Sequence, residues 1–245
     1  MTSTHLYGDN PASGQTLALD NATIYYEIYG SGTPLLLLHG NNQSISAFAN
    51  QINKLAEHYK VIAVNTRGHS NSTDESTGPL TYETFAADMV KLLDHLNLKN
   101  VNILGWSDGG ITGLIMAMQY PKYVNKLAVM GANLFPEGLK NIVFADTKES
   151  IEELSMLDDS QSVNKKRIYK LVLNEPHLTF EDLKQIQAPV LVMAGENDIV
   201  LENHTRQIAE NIPNSQLKIF TSASHFAPRY KAGEFNNEVL AFLGR

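Results

Sequence analysis

The chain of 245 residues is long enough to bury a sizeable core and suits a single domain over 1–245. With 26 acidic against 19 basic residues its net charge is −7, and no long run of Lys or Arg appears, which argues against nucleic acid as a partner. It has no cysteine, which excludes disulfides, thiolate metal sites and a cysteine nucleophile.

The first fifteen residues, MTSTHLYGDNPASGQ, lack both a basic start and an apolar run, so they do not read as a signal peptide. No stretch approaches the roughly 20 apolar residues of a membrane helix. A soluble cytoplasmic protein that does not engage a membrane is the expectation.

Thr23–Gly30 is rich in β-branched and aromatic residues and predicts a strand. TPLLLLHG is a continuous apolar run, as in a strand covered on both faces. Ile45, Phe48, Ile52 and Leu55 have helical spacing and predict a helix over Ser44–His58. YKVIAVNTRGHS predicts another buried strand and a turn. LTYETFAADMVKLLDHLNL predicts an amphipathic helix, with Phe85, Met89, Leu92, Leu93 and Leu96 on one face and Thr81 as its cap. KNVNILGW is a strand, and the helix that follows ends at Pro121. VNKLAVMGA and APVLVMAGEND are strands, VLENHTRQIAENIP a helix, SQLKIFTSASH a strand and loop, and NNEVLAFLG the last helix.

Strands thus alternate with helices from about residue 34 onward. That pattern predicts an α/β fold, a doubly wound, mostly parallel sheet with helices on both faces. One segment breaks the rhythm. Residues 133–187 hold no clear buried strand, and an acidic stretch there precedes a basic one. Two or three helices inserted as a small lid are expected, against the alternative of a long crossover.

Gly105-Trp106-Ser107-Asp108-Gly109 matches G-x-S-x-G, a pattern that chance supplies in about one chain in ten of this length. Its setting makes it informative, because it falls where a strand ends and a helix begins, as a nucleophile elbow requires. There the glycines let strand and helix approach while Ser107 is lifted above the carboxyl ends of the strands, where open α/β sheets place their sites.

A serine hydroxyl needs a base and a group to orient that base. In this architecture the chain order is Ser, then Asp or Glu, then His. VLVMAGENDIV delivers Asp198 after one strand, and IFTSASHF delivers His225 after the next. Glu196 competes with Asp198 as the acid. Among the other histidines, His5 lies in the terminus, and His58, His95 and His204 lie in helices or their ends, where a solvated or half-buried ring is expected. His69 and His177 lie in turns or in the insertion, and His39 precedes the serine and fits the order badly.

With LLLLHGNN, VNTRGHSNS, GWSDGG, VLVMAGENDIV and ASHF together, the chain resembles the α/β-hydrolase family from about Thr23 to Phe242. The resemblance implies Ser107 as nucleophile, Asp198 as acid and His225 as base. It implies an oxyanion hole from the N–H groups of Asn41 and Asp108. Two departures stand out. HGNNQS has no proline where many members have one, and Asn65 and Ser70 replace an acid and a glycine in the segment around Arg67, which is expected to be structural.

GWSDGG further resembles the valacyclovir hydrolase type of esterase, which suggests that the Asp108 carboxylate attracts a substrate amine. The competing explanation is an acid favoured in the first turn of a helix by the helix dipole, by about 0.3–1 kcal/mol. On either account the carboxylate should point away from the oxyanion, because a negative charge beside it is unfavourable.

These signals predict a serine hydrolase that cleaves small carboxylic esters through an acyl-enzyme on Ser107. The same triad serves amide or peptide, lactone and carbon–carbon hydrolysis, and the fold also serves non-catalytic ligand binding. No metal or cofactor is called for by this chemistry. Trp106, Asp108, Ile111, Phe135, Phe144 and Leu201 are the candidates for lining the substrate pocket.

Overall fold

The computed structural model describes residues 7–245, so His5 lies outside the described residues. Its strands are β1 (Gly14–Ala18), β2 (Ala22–Tyr29), β3 (Pro34–Leu38), β4 (Lys60–Val64), β5 (Thr73–Asp74), β6 (Val101–Trp106), β7 (Val124–Met130), β8 (Val190–Asn197) and β9 (Ser215–Ser224). Its helices are α1 (Ile52–Ala56), α2 (Tyr82–His95), α3 (Asp108–Gln119), α4 (Asn141–Ser155), α5 (Ser160–Asn174), α6 (Glu202–Asn211), α7 (Ala227–Tyr230) and α8 (Ala232–Leu243).

The strands form one sheet in the order β1-β2-β4-β3-β6-β7-β8-β9, with β5 paired to β2. From β4 to β9 every neighbouring pair is parallel, and the antiparallel pairs are confined to β2 with β1, β4 and β5. This is the doubly wound, mostly parallel arrangement that the alternation predicts. Alternate residues of each strand feed two cores. Leu36, Leu38 and Ile103 pack with α2 and α3 on one face, and Leu35, Leu37 and Leu104 pack with α1 and α8 on the other. Because both faces are covered, β3 and β6 carry unbroken apolar runs rather than alternating ones.

One strand was not expected and one expectation needs correction. The strand is β1, which begins at Gly14 and pairs along β2. The helix expected over Ser44–His58 is split into a 3₁₀ turn, Ile45–Phe48, and the short α1. Ser44 caps the first piece by accepting the Ser46 N–H, and the Gln51 amide is drawn to the Pro228 carbonyl, 2.7 Å away. Ile45, Phe48, Ile52 and Leu55 nonetheless all face the core. Thr81 caps α2 as expected, accepting the Thr84 N–H at 3.2 Å.

Between β7 and β8 the chain carries α4 and α5, flanked by 3₁₀ turns at Pro136–Gly138 and Asp182–Gln185. The two helices pack on each other, and α5 is tied down to the body of the protein. Arg167 donates to Asp74 at 2.7 Å and to the Gly78 carbonyl, and Asn164 donates to the Gly68 carbonyl at 2.6 Å. Asp74 also receives Arg67, whose guanidinium forms a two-pronged pair with Asp88 at 2.7 and 2.8 Å. The Arg67 segment is therefore scaffolding. Asn65 shares that work, since its side chain accepts the Ile45 N–H at 2.8 Å. No helix among the described residues is long and apolar enough to cross a membrane.

Candidate active site

The sequence places a serine, an aspartate and a histidine after β6, β8 and β9, so all three emerge at the carboxyl edge of one parallel sheet. Ser107 sits between β6 and α3 with φ 56° and ψ −119°, a backbone that a side chain rarely adopts. The neighbouring main chain enforces it. A Cβ added at Gly105 would lie 2.2 Å from the Gly109 carbonyl oxygen, and one at Gly109 would lie 1.9 Å from that of Leu38. The Ser107 N–H donates to the Met130 carbonyl at 2.8 Å, which fixes the turn to β7.

His225 Nδ1 donates to Asp198 Oδ1 at 2.7 Å, and both side chains are buried. Asp198 accepts two further bonds, from the N–H groups of Gly195 at 3.0 Å and Val200 at 3.2 Å. Burial pulls its carboxyl upward, but His225 and these two donors outweigh that pull and hold it below the usual carboxylate range. With Nδ1 committed to Asp198, the free ring nitrogen of His225 is Nε2. The main chain that carries the ring is held by Trp106, whose indole N–H donates to the His225 carbonyl at 3.0 Å. Glu196 is exposed and accepts the Ser222 N–H, so it does not compete for the imidazole.

Ser107 and His225 line one cavity of about 230 Å³. Asn41 and Asp108 stand beside them, and Leu139, Val143, Tyr169 and Val172 close it from the segment that carries α4 and α5. The Asn41 loop lies directly on Ser107, since a Cβ added at Gly40 would sit 3.0 Å from Ser107 Cβ. Gln43 closes this turn in both directions. Its N–H donates to the Gly40 carbonyl at 3.2 Å, and its side-chain oxygen accepts the Gly40 N–H at 3.1 Å.

Asp108 is only 7% exposed, although it opens a helix. Its Oδ2 accepts the Asn41 side-chain amide at 2.9 Å, and the Tyr82 hydroxyl also bonds to it. Burial pushes its carboxyl up to about 6 despite those donors. Glu175 also lines the cavity, and burial raises its carboxyl as well.

Of the residues expected to line the pocket, only Asp108 lines this cavity, and Trp106 borders a neighbouring depression. Trp106 is buried beneath His225, and Ile111 is buried in the core on the α2–α3 face. Phe135 packs edge-on against Phe180 and His204. Phe144 is one residue out of phase with Val143 and Thr147, which face the cavity along α4. Leu201 precedes α6 and is 41% exposed. His204 is buried rather than solvated, and it accepts the Leu134 N–H at 3.0 Å. Tyr82 and Glu175 are cavity residues that the sequence did not single out. Their only signals were a hydroxyl-bearing aromatic directly after a helix cap and a carboxylate in an otherwise apolar stretch ahead of Pro176.

The alpha/beta hydrolase fold family model matches residues 33–154. The human protein named Serine hydrolase BPHL is 30% identical, over 93% of this chain and 85% of its own length. The chain belongs to the alpha/beta hydrolase family. Another relative in the family is the putative carbamate hydrolase RutD of Azorhizobium caulinodans, 26% identical over 91% of this chain and 96% of its own. Solved structures show the same fold. A hydrolase from Pseudomonas aeruginosa superposes with a TM-score of 0.82 at 22% identity, covering 96% of this chain and all of that one. The enol-lactonase from Burkholderia xenovorans gives 0.78 at 21% identity, covering 94% of this chain and 100% of its own.

Proposed function

We propose that this hydrolase cleaves small carboxylic esters through an acyl-enzyme on Ser107. The observation that carries this reading is the short Asp198–His225 bond on the same cavity as a serine held in a strained elbow. Ser107 Oγ attacks the ester carbonyl while His225 Nε2 takes its proton. Asp198 keeps Nδ1 protonated and stabilises the imidazolium that forms. The N–H groups of Asn41 and Asp108 stabilise the oxyanion, a contribution typically worth about 2.7–4 kcal/mol per donor. His225 then returns the proton to the departing alcohol, and water, activated by the same nitrogen, releases the acid.

A second reading concerns the acyl group, and Asp108 favours it. A carboxylate placed only to suit the helix dipole has no need to be buried in a cavity, yet this one is, at the cost of a raised pKa. The cavity is lined by Asp108 and Glu175 and by no Lys or Arg. Such a cavity favours acyl groups that carry an amine, as in α-amino acid esters.

Turnover of p-nitrophenyl acetate and labelling by a fluorophosphonate probe test the first reading. Both should vanish in Ser107→Ala, and the absence of both in the native protein would sink it. A panel of α-amino and desamino esters tests the second.

A further inference from the structure

A second depression, of about 620 Å³, opens beside the cavity and shares Asn42, Gln43 and Phe226 with it. Its charge is the reverse. Lys165, from α5, and Arg229, from α7, line it, and no Asp or Glu does. Neither cation forms an ion pair among the described residues, although the chain as a whole is acidic. Most of the remaining lining is uncharged amides and hydroxyls, and Ala47, Ala49 and the Trp106 and Phe226 rings supply its apolar part.

We infer that this outer basin is a leaving-group subsite that takes an alcohol bearing an anion, a carboxylate or a phosphate. The inference rests on the ester hydrolase reading above. An ester whose acyl part fills the inner cavity places its alkoxy oxygen at Ser107 and His225, and the shared wall of Asn42, Gln43 and Phe226 directs the rest of the alcohol outward. The inner cavity presents carboxylates and the outer basin presents cations. A substrate with an amine on its acyl side and an anion on its alcohol side therefore matches the site at both ends. No new chemical step is involved, since the alcohol departs with the proton from His225 as before.

Unpaired exposed cations act on a bound anion through water, so the effect is modest and sensitive to salt. The test uses leucyl esters in matched pairs, glycolate against glycolamide and 2-hydroxyethyl phosphate against 2-methoxyethanol. For each pair the ratio of kcat/KM is measured in the native protein and in the double variant Lys165→Gln/Arg229→Gln. Comparing ratios cancels the intrinsic reactivity of the esters. The ratio of anionic to neutral ester should fall roughly three- to tenfold in the double variant, and by a similar factor in the native protein at about 1 M salt. The pair that shows the larger fall identifies the anion. Ratios that stay the same in the double variant for both pairs overturn the inference. If no leucyl ester is cleaved at all, it is the amino-acyl reading of the inner cavity that fails instead, and the same alcohol pairs compared as acetyl esters decide the outer basin by the same ratios.

Discussion

The imidazoles of His39 and His69 stand edge to face with ring centres 5.0 Å apart, and each holds the other's loop. His39 Nδ1 donates to the Gly40 carbonyl, and its Nε2 accepts the Thr66 N–H at 3.1 Å. His69 Nδ1 donates to the Arg67 carbonyl, and its Nε2 accepts the Asn42 N–H at 3.3 Å. Both rings must be neutral to do this. Burial ensures it, pushing His39 down to about 3, with help from its neighbour, and His69 down to about 4. The loop so held is the one that lies on Ser107.

His69→Asn keeps a donor toward Arg67 but has no acceptor long enough for Asn42, whereas His69→Gln places an amide oxygen near the position of Nε2. The asparagine variant should lose about three- to tenfold in kcat with KM little changed, the worth of one hydrogen bond. The glutamine variant should recover most of the loss. Equal losses in both variants, or a loss confined to KM, would show that the Asn42 bond does not position the loop for catalysis.

Ser107→Gly and Ser107→Ala should both be inactive, yet differ in stability. Glycine adopts φ 56° without a Cβ penalty, and alanine does not. Denaturant unfolding should place the glycine variant about 1 kcal/mol above the alanine variant. Equal stabilities would mean that the elbow stores no strain.

Asp108→Asn should trade activity for stability. A carboxyl raised from 3.8 to about 6 in the fold takes up protons on folding, so its charge costs stability as pH rises through that interval. The asparagine variant should match the native protein below pH 4. It should become more stable from there to pH 6 and keep a gain of up to about 3 kcal/mol above that. Over the same interval KM for α-amino esters should fall in the native protein as Asp108 ionises, and this dependence should be absent in the variant. Melting curves and ester kinetics across pH 4–8 check both halves.

Asp74 bridges Arg67 and Arg167, and its side chain is fully buried. Burial works to raise its carboxyl, but bonds from Ser76, Arg67 and Arg167 outweigh it and keep it low. Its contribution is therefore present above the ordinary carboxylate range and lost as pH falls through its depressed value. Asp74→Ala should cost about 1.5–3 kcal/mol at pH 7, because two guanidinium groups each lose one charged partner while Arg67 keeps Asp88 and Arg167 keeps the Gly78 carbonyl. A cost below about 1 kcal/mol in urea unfolding would refute the bridge as a structural tie.

The parts most legible in the sequence were those governed by local pattern. Unbroken apolar runs marked β3 and β6, the spacing of Phe85, Met89 and Leu92 marked α2, and G-x-S-x-G at a strand end marked the elbow. Asp198 and His225 could be named because their place after two strands fixes their edge of the sheet. The pocket lining was illegible for a physical reason. An apolar residue such as Ile111 or Phe135 serves a core and a pocket equally well, and tertiary packing alone decides which. Glu175 and Tyr82 escaped notice because what marks them is desolvation, which no local pattern encodes.

The contacts that aim Ser107 are main chain on main chain, from Gly105 to Gly109, from Gly109 to Leu38 and from Ser107 to Met130. Much of the opposite wall of the cavity comes instead from one contiguous stretch, Leu139 to Glu175. The turn that holds Ser107 and this part of the cavity wall are thus built independently, although Asp108 belongs to the turn. Exchanging that stretch for the matching piece of a relative would reshape the cavity without moving Ser107, provided that the donor piece keeps the Arg167 tether to Asp74.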